Sequence, residues 1–88
     1  MYKIEFSSAA VNDLENWTQA EIEQLFFVVV PLSVDPRPDG SRPLFSAEEV
    51  EDGMLCRYET TYFVMIYSVW EAQLMVWIEE VSKKIHLN

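Results

Sequence analysis

One cysteine, Cys56, and one histidine, His86, stand in a chain of 88 residues, so no internal disulfide can form and a Cys/His zinc site is excluded. Glycine is almost as scarce. With only Gly40 and Gly53 present, no glycine-rich phosphate-cradling loop can be built. Positive charge is short as well: six Lys and Arg face fifteen Asp and Glu, a net charge of -9. Nucleic-acid binders draw most of their affinity from neutralising phosphates, and this chain taken whole repels a polyanion. Only a local basic cluster, screened from the remaining charge beyond about 8–10 Å, leaves room for such a role. The longest apolar runs, Leu25 to Leu32 and Tyr62 to Tyr67, fall far below the ~20 residues of a membrane span. No basic segment, apolar run and cleavage site of a secretory signal opens the chain. The acids Glu48, Glu49, Glu51 and Asp52 lack calcium-loop spacing and read as a solvated turn. The expectation is a single domain over residues 1–88, in the cytoplasm, with no cofactor, no metal and no membrane contact.

What is present is apolar and aromatic: 50% hydrophobic residues, with three Trp, four Tyr and five Phe. That excludes a disordered chain. Tyr2, Ile4 and Phe6 alternate with Lys3 and Glu5, the pattern of a half-buried strand. Ser7 or Ser8 can cap a helix over Ala9 to Asn16. Thr18-Gln-Ala-Glu21 is a capping box, opening a second helix with Ile22, Leu25, Phe26 and Val29 on one stripe. Pro31 lacks an amide donor and predicts a kink or an end there. Asp35 to Pro43, with three prolines and Gly40, is a loop. A short strand is expected over Leu44 to Ala47, then an acidic turn to Gly53. Three strands follow, over Met54–Glu59, Tyr62–Val69 and Gln73–Glu80, with turns centred on Thr60-Thr61 and Glu71-Ala72.

Pairing Glu59 with Tyr62 and Val69 with Leu74 sorts this meander into two faces. Met54, Cys56, Tyr58, Phe63, Met65, Tyr67, Val69, Leu74, Val76 and Ile78 form the core face. The opposite face is polar at its rim, with Arg57, Glu59 and Glu79, and apolar at its centre, where Ile66, Met75 and Trp77 cluster. An uncovered cluster of this kind marks an interface, unless the C-terminal tail folds over it.

The order of strand, two helices, Pro-rich loop and antiparallel meander resembles the RelE/ParE toxin superfamily. The resemblance is carried by Tyr2-Lys-Ile-Glu-Phe-Ser7, Ala10-Val-Asn-Asp-Leu14, Asp35-Pro-Arg-Pro-Asp-Gly40 with Leu44, and Phe63-Val-Met-Ile-Tyr67-Ser-Val69. It implies an α+β fold: an N-terminal strand and a two-helix hairpin on one face of a mostly antiparallel sheet of four or five strands. It also implies a toxin of a toxin–antitoxin pair. RelE-like members cut mRNA on the ribosome with sheet-face Lys and Arg residues, ParE-like members inhibit gyrase, and a small antitoxin wraps around both.

Carried over residue by residue, the RelE-type cation on the strand before the hairpin matches Arg57, which can hold a phosphate through two parallel hydrogen bonds but is no base. The arginine of the central strand falls on Val64, expected directly across from Arg57. The basic residue after the last strand matches Lys84, with Lys83 beside it, and the family's distal tyrosine falls beyond Asn88. Cleavage through a 2′-hydroxyl needs a proton acceptor, a stabiliser of the phosphorane and an acid for the leaving oxygen. Arg57 and Lys84 suit the second task, and a shifted alignment recruits His86 for another. Against these roles stand plainer ones: Lys83 and Lys84 as cations closing a short C-terminal helix, His86 as a solvated tail residue, Arg37 and Arg42 as loop ion pairs.

Three functions follow. One is a weak or non-catalytic binding module that engages an antitoxin-like protein through Arg57, Ile66, Met75, Trp77, Lys83 and Lys84. The second is a ribosome-dependent mRNA endonuclease using Arg57, Lys84 and His86. The third is an acidic mimic of nucleic acid. A homodimer is compatible with each.

Overall fold

In the computed structural model, which describes residues 1–44 and 52–85, the elements are β1 (Lys3–Phe6), α1 (Ser8–Leu14), α2 (Gln19–Leu32), β2 (Arg42–Pro43), β3 (Met54–Glu59), β4 (Phe63–Trp70) and β5 (Met75–Lys83). They build one five-stranded sheet in the order β1-β5-β4-β3-β2, antiparallel except where β1 runs parallel to β5. The α+β arrangement is the one the sequence implied.

Local chemistry sets the helix starts. Ser7 Oγ accepts the Ala10 N–H at 3.0 Å and donates to the Glu79 carbonyl at 2.8 Å, which caps α1 and ties it to β5. Thr18 and Glu21 form both halves of the capping box, at 3.2 and 2.8 Å. α1 stops at Leu14, two residues short of the expected Asn16, and α2 stops one residue past Pro31. In the last turn a proline costs only one helical hydrogen bond, so the helix ends there without being broken earlier. Phe26 does not join the buried stripe. The line of α2 that meets the sheet is Glu21, Leu25, Val29 and Leu32, with Ile22 half-buried and Phe26 exposed.

Ala10 of α1, Leu25, Val29 and Leu32 of α2, and Cys56, Phe63, Met65, Tyr67, Val69, Val76, Ile78 and Val81 of the sheet make one buried cluster. Tyr67 donates to the Pro36 carbonyl at 2.8 Å, fixing the Pro-rich loop to the central strand, and burial pushes its hydroxyl up to about 12.

Four expectations about the strands are corrected. A two-residue strand, Arg42–Pro43, lies inside the stretch read as loop, where an edge position tolerates proline; the strand expected over Leu44 to Ala47 and the acidic turn fall mostly on residues 45–51, outside the described residues. β3 pairs with β4 two residues out of the expected register, with Glu59 opposite Val64 and Arg57 opposite Ile66, so Val64 is not across from Arg57. A shift of two keeps every side chain on its face, which is why the core assignment survives. Leu74, expected in the core, is exposed in the β4–β5 turn with φ of +49°. Finally, the β4–β5 ladder is irregular between Ile66 and Tyr67, which leaves Glu79 as an extra residue in β5.

Met65, on the central strand and 0% exposed, tests this core. Met65→Ala is expected to lower the free energy of unfolding by ~2–5 kcal/mol, read by chemical denaturation; a loss under ~1 kcal/mol contradicts the packing described.

Candidate functional site

Three cations converge where β2, β3 and the end of β5 meet the Thr60–Tyr62 turn. Arg42 and Arg57 are cross-strand partners, so both side chains rise from the sheet face that the helices leave open. Lys84 follows β5 and is held by its own N–H on the Tyr62 carbonyl at 2.7 Å. With Gly40, Glu59, Thr60 and Thr61 these residues line a cleft of about 610 Å³.

Glu59 organises the charges. One carboxylate oxygen meets Arg57 Nη2 at 2.7 Å and the other meets Lys84 Nζ at 2.6 Å, while Lys84 also donates to the Thr60 carbonyl at 3.2 Å. The Lys84 and Arg57 hydrogen bonds hold the Glu59 carboxyl below the usual carboxylate range. Arg42 makes no ion pair among the described residues. Two arginines directly opposite each other repel, and a single carboxylate offsets only part of the local excess. An anion bearing several oxygens fits this cleft, by charge and by the fork geometry of arginine.

Proton-transfer chemistry is thin here. Arg42, Arg57 and Lys84 suit holding an anion through charge and hydrogen bonds. Glu59, held ionised, is a weak base. Cys56 is no nucleophile: burial pushes its thiol up, on the core face. Val64, where the resemblance places an arginine, faces Glu59 with an aliphatic side chain. His86 lies outside the described residues. Among those described, no group of three His, Cys, Asp or Glu side chains could hold a metal ion.

The other candidates separate. Lys83 does not stand beside Lys84. It ends β5 on the helix side of the sheet, where its Nζ meets Glu21 Oε1 at 3.1 Å and lies 5.8 Å from the Trp17 ring centroid. There is no C-terminal helix up to Ile85, the last described residue before the end of the chain. Ile66, Met75 and Trp77 are half-buried on the open face, with Trp77 opposite Ser68 and Met75 opposite Trp70. The Trp70 indole also lies against this face. It donates to Ser68 Oγ at 2.9 Å and covers Gly53 so closely that a Cβ there would come within 2.7 Å of the ring. Arg37 sits at the far end of the sheet, paired with Glu71, which also accepts from the Tyr2 hydroxyl. Asp52 of the acidic stretch accepts the Glu71 and Ala72 amides at 2.7 and 3.3 Å and closes the β4–β5 turn. Arg42 is the cleft residue that the sequence reading set down as a loop ion pair; it forms no ion pair among the described residues and lies in β2, a strand masked in the sequence by Pro43 and the breakers before it.

No protein-family model matches the chain, and no curated protein sequence is significantly similar to it. Solved structures are similar throughout. A chain of the archaeal RelE–RelB complex from Pyrococcus horikoshii superposes with a TM-score of 0.78 at 19% identity, covering 93% of both chains. A chain of the RelBE2 toxin–antitoxin complex from Mycobacterium tuberculosis gives 0.76 at 18% identity, over 94% of this chain and 98% of that one. The isolated Escherichia coli RelE toxin gives 0.74 at 17% identity, over 100% and 89%. The fold is therefore that of the RelE toxins.

The two lysines give a paired test. Lys83→Ala removes the cation paired with the Glu21 carboxylate, which is 3% exposed, and is expected to cost ~3 kcal/mol of stability. Lys84→Ala removes a half-exposed surface pair and is expected to cost under ~1 kcal/mol. Equal losses in thermal unfolding would contradict the division between the faces. In the cleft, Glu59→Gln frees Arg57 and Lys84 and is expected to raise affinity for a short single-stranded RNA about tenfold at low salt, read by fluorescence anisotropy; unchanged affinity would show that Glu59 does not occupy the anion position.

Proposed function

We propose that this chain is a toxin-fold binding module whose nuclease chemistry is weak or absent, and that it works by engaging an antitoxin-like protein through the open face of its sheet. One observation carries the reading: the two cations that match the RelE-type site, Arg57 and Lys84, are both engaged by Glu59, and the third position is Val64. A phosphate entering the cleft competes with a carboxylate already bonded to both cations, and meets no group suited to move a proton at neutral pH among the described residues. Removing one transition-state stabiliser of this kind typically costs ~10²–10³ in rate.

The solved structures with this fold include RelE–RelB and RelBE complexes, which supports a protein partner. The partner's chemistry follows from the face it would cover. Ile66, Met75 and Trp77 offer apolar contact, and Glu59, Glu79 and Glu80 supply a rim of acids. A segment with apolar anchors and flanking Lys or Arg complements that surface, and its rim charges act mainly on the rate of association. The convergence of Arg42 with Arg57 and Lys84 favours one other reading, an endonuclease that binds RNA phosphate in the cleft.

Trp77 is the anchor of the binding reading, as a large aromatic near the centre of the face. Trp77→Ala is expected to weaken the complex with the product of an adjoining small reading frame by ~2 kcal/mol or more, measured by calorimetry with the fold checked by circular dichroism. Binding indifferent to Trp77 and to salt would remove the sheet face as the interface.

A further inference from the structure

Helix α2 carries two apolar lines. Leu25, Val29 and Leu32 are buried against the sheet. Phe26, Phe27, Val30 and Val34 are not: they are 44%, 72%, 60% and 73% exposed. Phe26 and Phe27 lie four and three residues before Val30, and Val34 four after it, which puts them on one side of the helix and its extension. With Glu23 and Pro31, the first three line a surface groove of about 430 Å³. Scattered exposed apolar residues need no explanation, but a contiguous groove with two phenylalanines marks an interaction surface.

The helical segment of the sequence carries side-chain charge of one sign. Between Lys3 and Arg37 there is no Lys or Arg, while Glu5, Asp13, Glu15, Glu21, Glu23 and Asp35 fall there. Glu21 is buried and paired with Lys83; Glu23 is exposed and lines the groove. At the other end the last carbonyls of α2 present the negative end of the helix dipole, and Asp35 is exposed beyond them. A second copy of the chain fits this surface poorly. Two-fold pairing of antiparallel α2 helices sets Glu23 of one copy against the carbonyl end and Asp35 of the other, and joins two chains that each carry -9.

We propose that the outer face of α2 docks a basic amphipathic helix of a partner protein. Its apolar side chains enter between Phe26, Phe27, Val30 and Val34, and its Lys or Arg residues lie beside Glu23 and Asp35. From Glu23 to Leu32, where α2 ends, the helix rises about 14 Å, and Asp35 lies beyond it, so the complementary segment is about three turns long. The surface lies across the core from the cationic cleft, and the proposal stands independently of the sheet-face reading.

The test uses the full chain and a fluorescent three-turn peptide with leucines on one face and lysines on its flanks, beside a control peptide with glutamates in place of the lysines. Fluorescence anisotropy is expected to show binding of the basic peptide alone. Phe27→Ser with Val30→Ser, which leaves every charge in place, is expected to weaken it tenfold or more, and Glu23→Gln severalfold. Phe27→Ala alone serves as a milder second variant, and circular dichroism checks each fold. Undiminished binding by the serine variant would reduce the effect to general attraction by an acidic chain and overturn the proposal. So would equal binding of both peptides, loss of binding on Trp77→Ala in place of the α2 variants, or a dimer in sedimentation that those variants dissociate.

Discussion

Between Ile66 and Tyr67 the β4–β5 ladder slips by one residue, and the placement of the whole C-terminal strand depends on it. Before the slip Val76 and Ile78 point into the core; after it Val81 and Lys83 do. Strict alternation from Ile78 would send Glu80 and Ser82 under the helices and Lys84 with them. The extra residue, Glu79, exchanges the two sets, so Lys83 reaches Glu21 and Lys84 reaches Glu59. α1 secures this irregularity. Ser7 donates to the Glu79 carbonyl, and Asp13 accepts the Val81 amide at 3.1 Å beyond the point where β1 ends. One helix therefore satisfies backbone groups of β5 that have no ladder partner once β1 ends.

This arrangement separates two kinds of charge. On the helix side Lys83 and Glu21 are largely withdrawn from water, where breaking the pair is costly although forming it adds little. On the open side Glu59, Arg57 and Lys84 remain about two-fifths exposed, and their pairing is cheap to exchange. A cluster of that second kind can release its cations to an external anion; the first kind cannot.

Much of the architecture was legible in the sequence because it rests on local signals. The capping box at Thr18 and Glu21, the alternation through Phe63, Met65 and Tyr67, and the breakers from Asp35 to Pro43 each need only a few neighbouring residues. The cleft was legible in part. Arg57 and Lys84 were visible as cations, and Glu59 as a neighbour of Arg57 on one face, but three facts that decide their chemistry come from pairings across strands: Lys84 on Glu59, Arg42 opposite Arg57, and the bulge that sends Lys83 away. Register has no local signal where the turn, Thr60-Thr61, lacks a tight hairpin sequence. Phe26 was misplaced for a related reason. With Val28, Val29 and Val30 beside it, α2 is apolar around most of its circumference, so periodicity alone did not say which line meets the sheet.

The same cleft bears on the central functional claim, that a RelE-like cation site with its charges engaged by a carboxylate and with Val64 at its third position does not cut RNA efficiently. Mapping mRNA 5′ ends after induced expression of the unaltered chain measures this directly. The account predicts no new codon-positioned ends above the uninduced background. Abundant cleavage within translated codons, abolished by Arg57→Ala or Lys84→Ala, would contradict it and make this cleft a working endonuclease site.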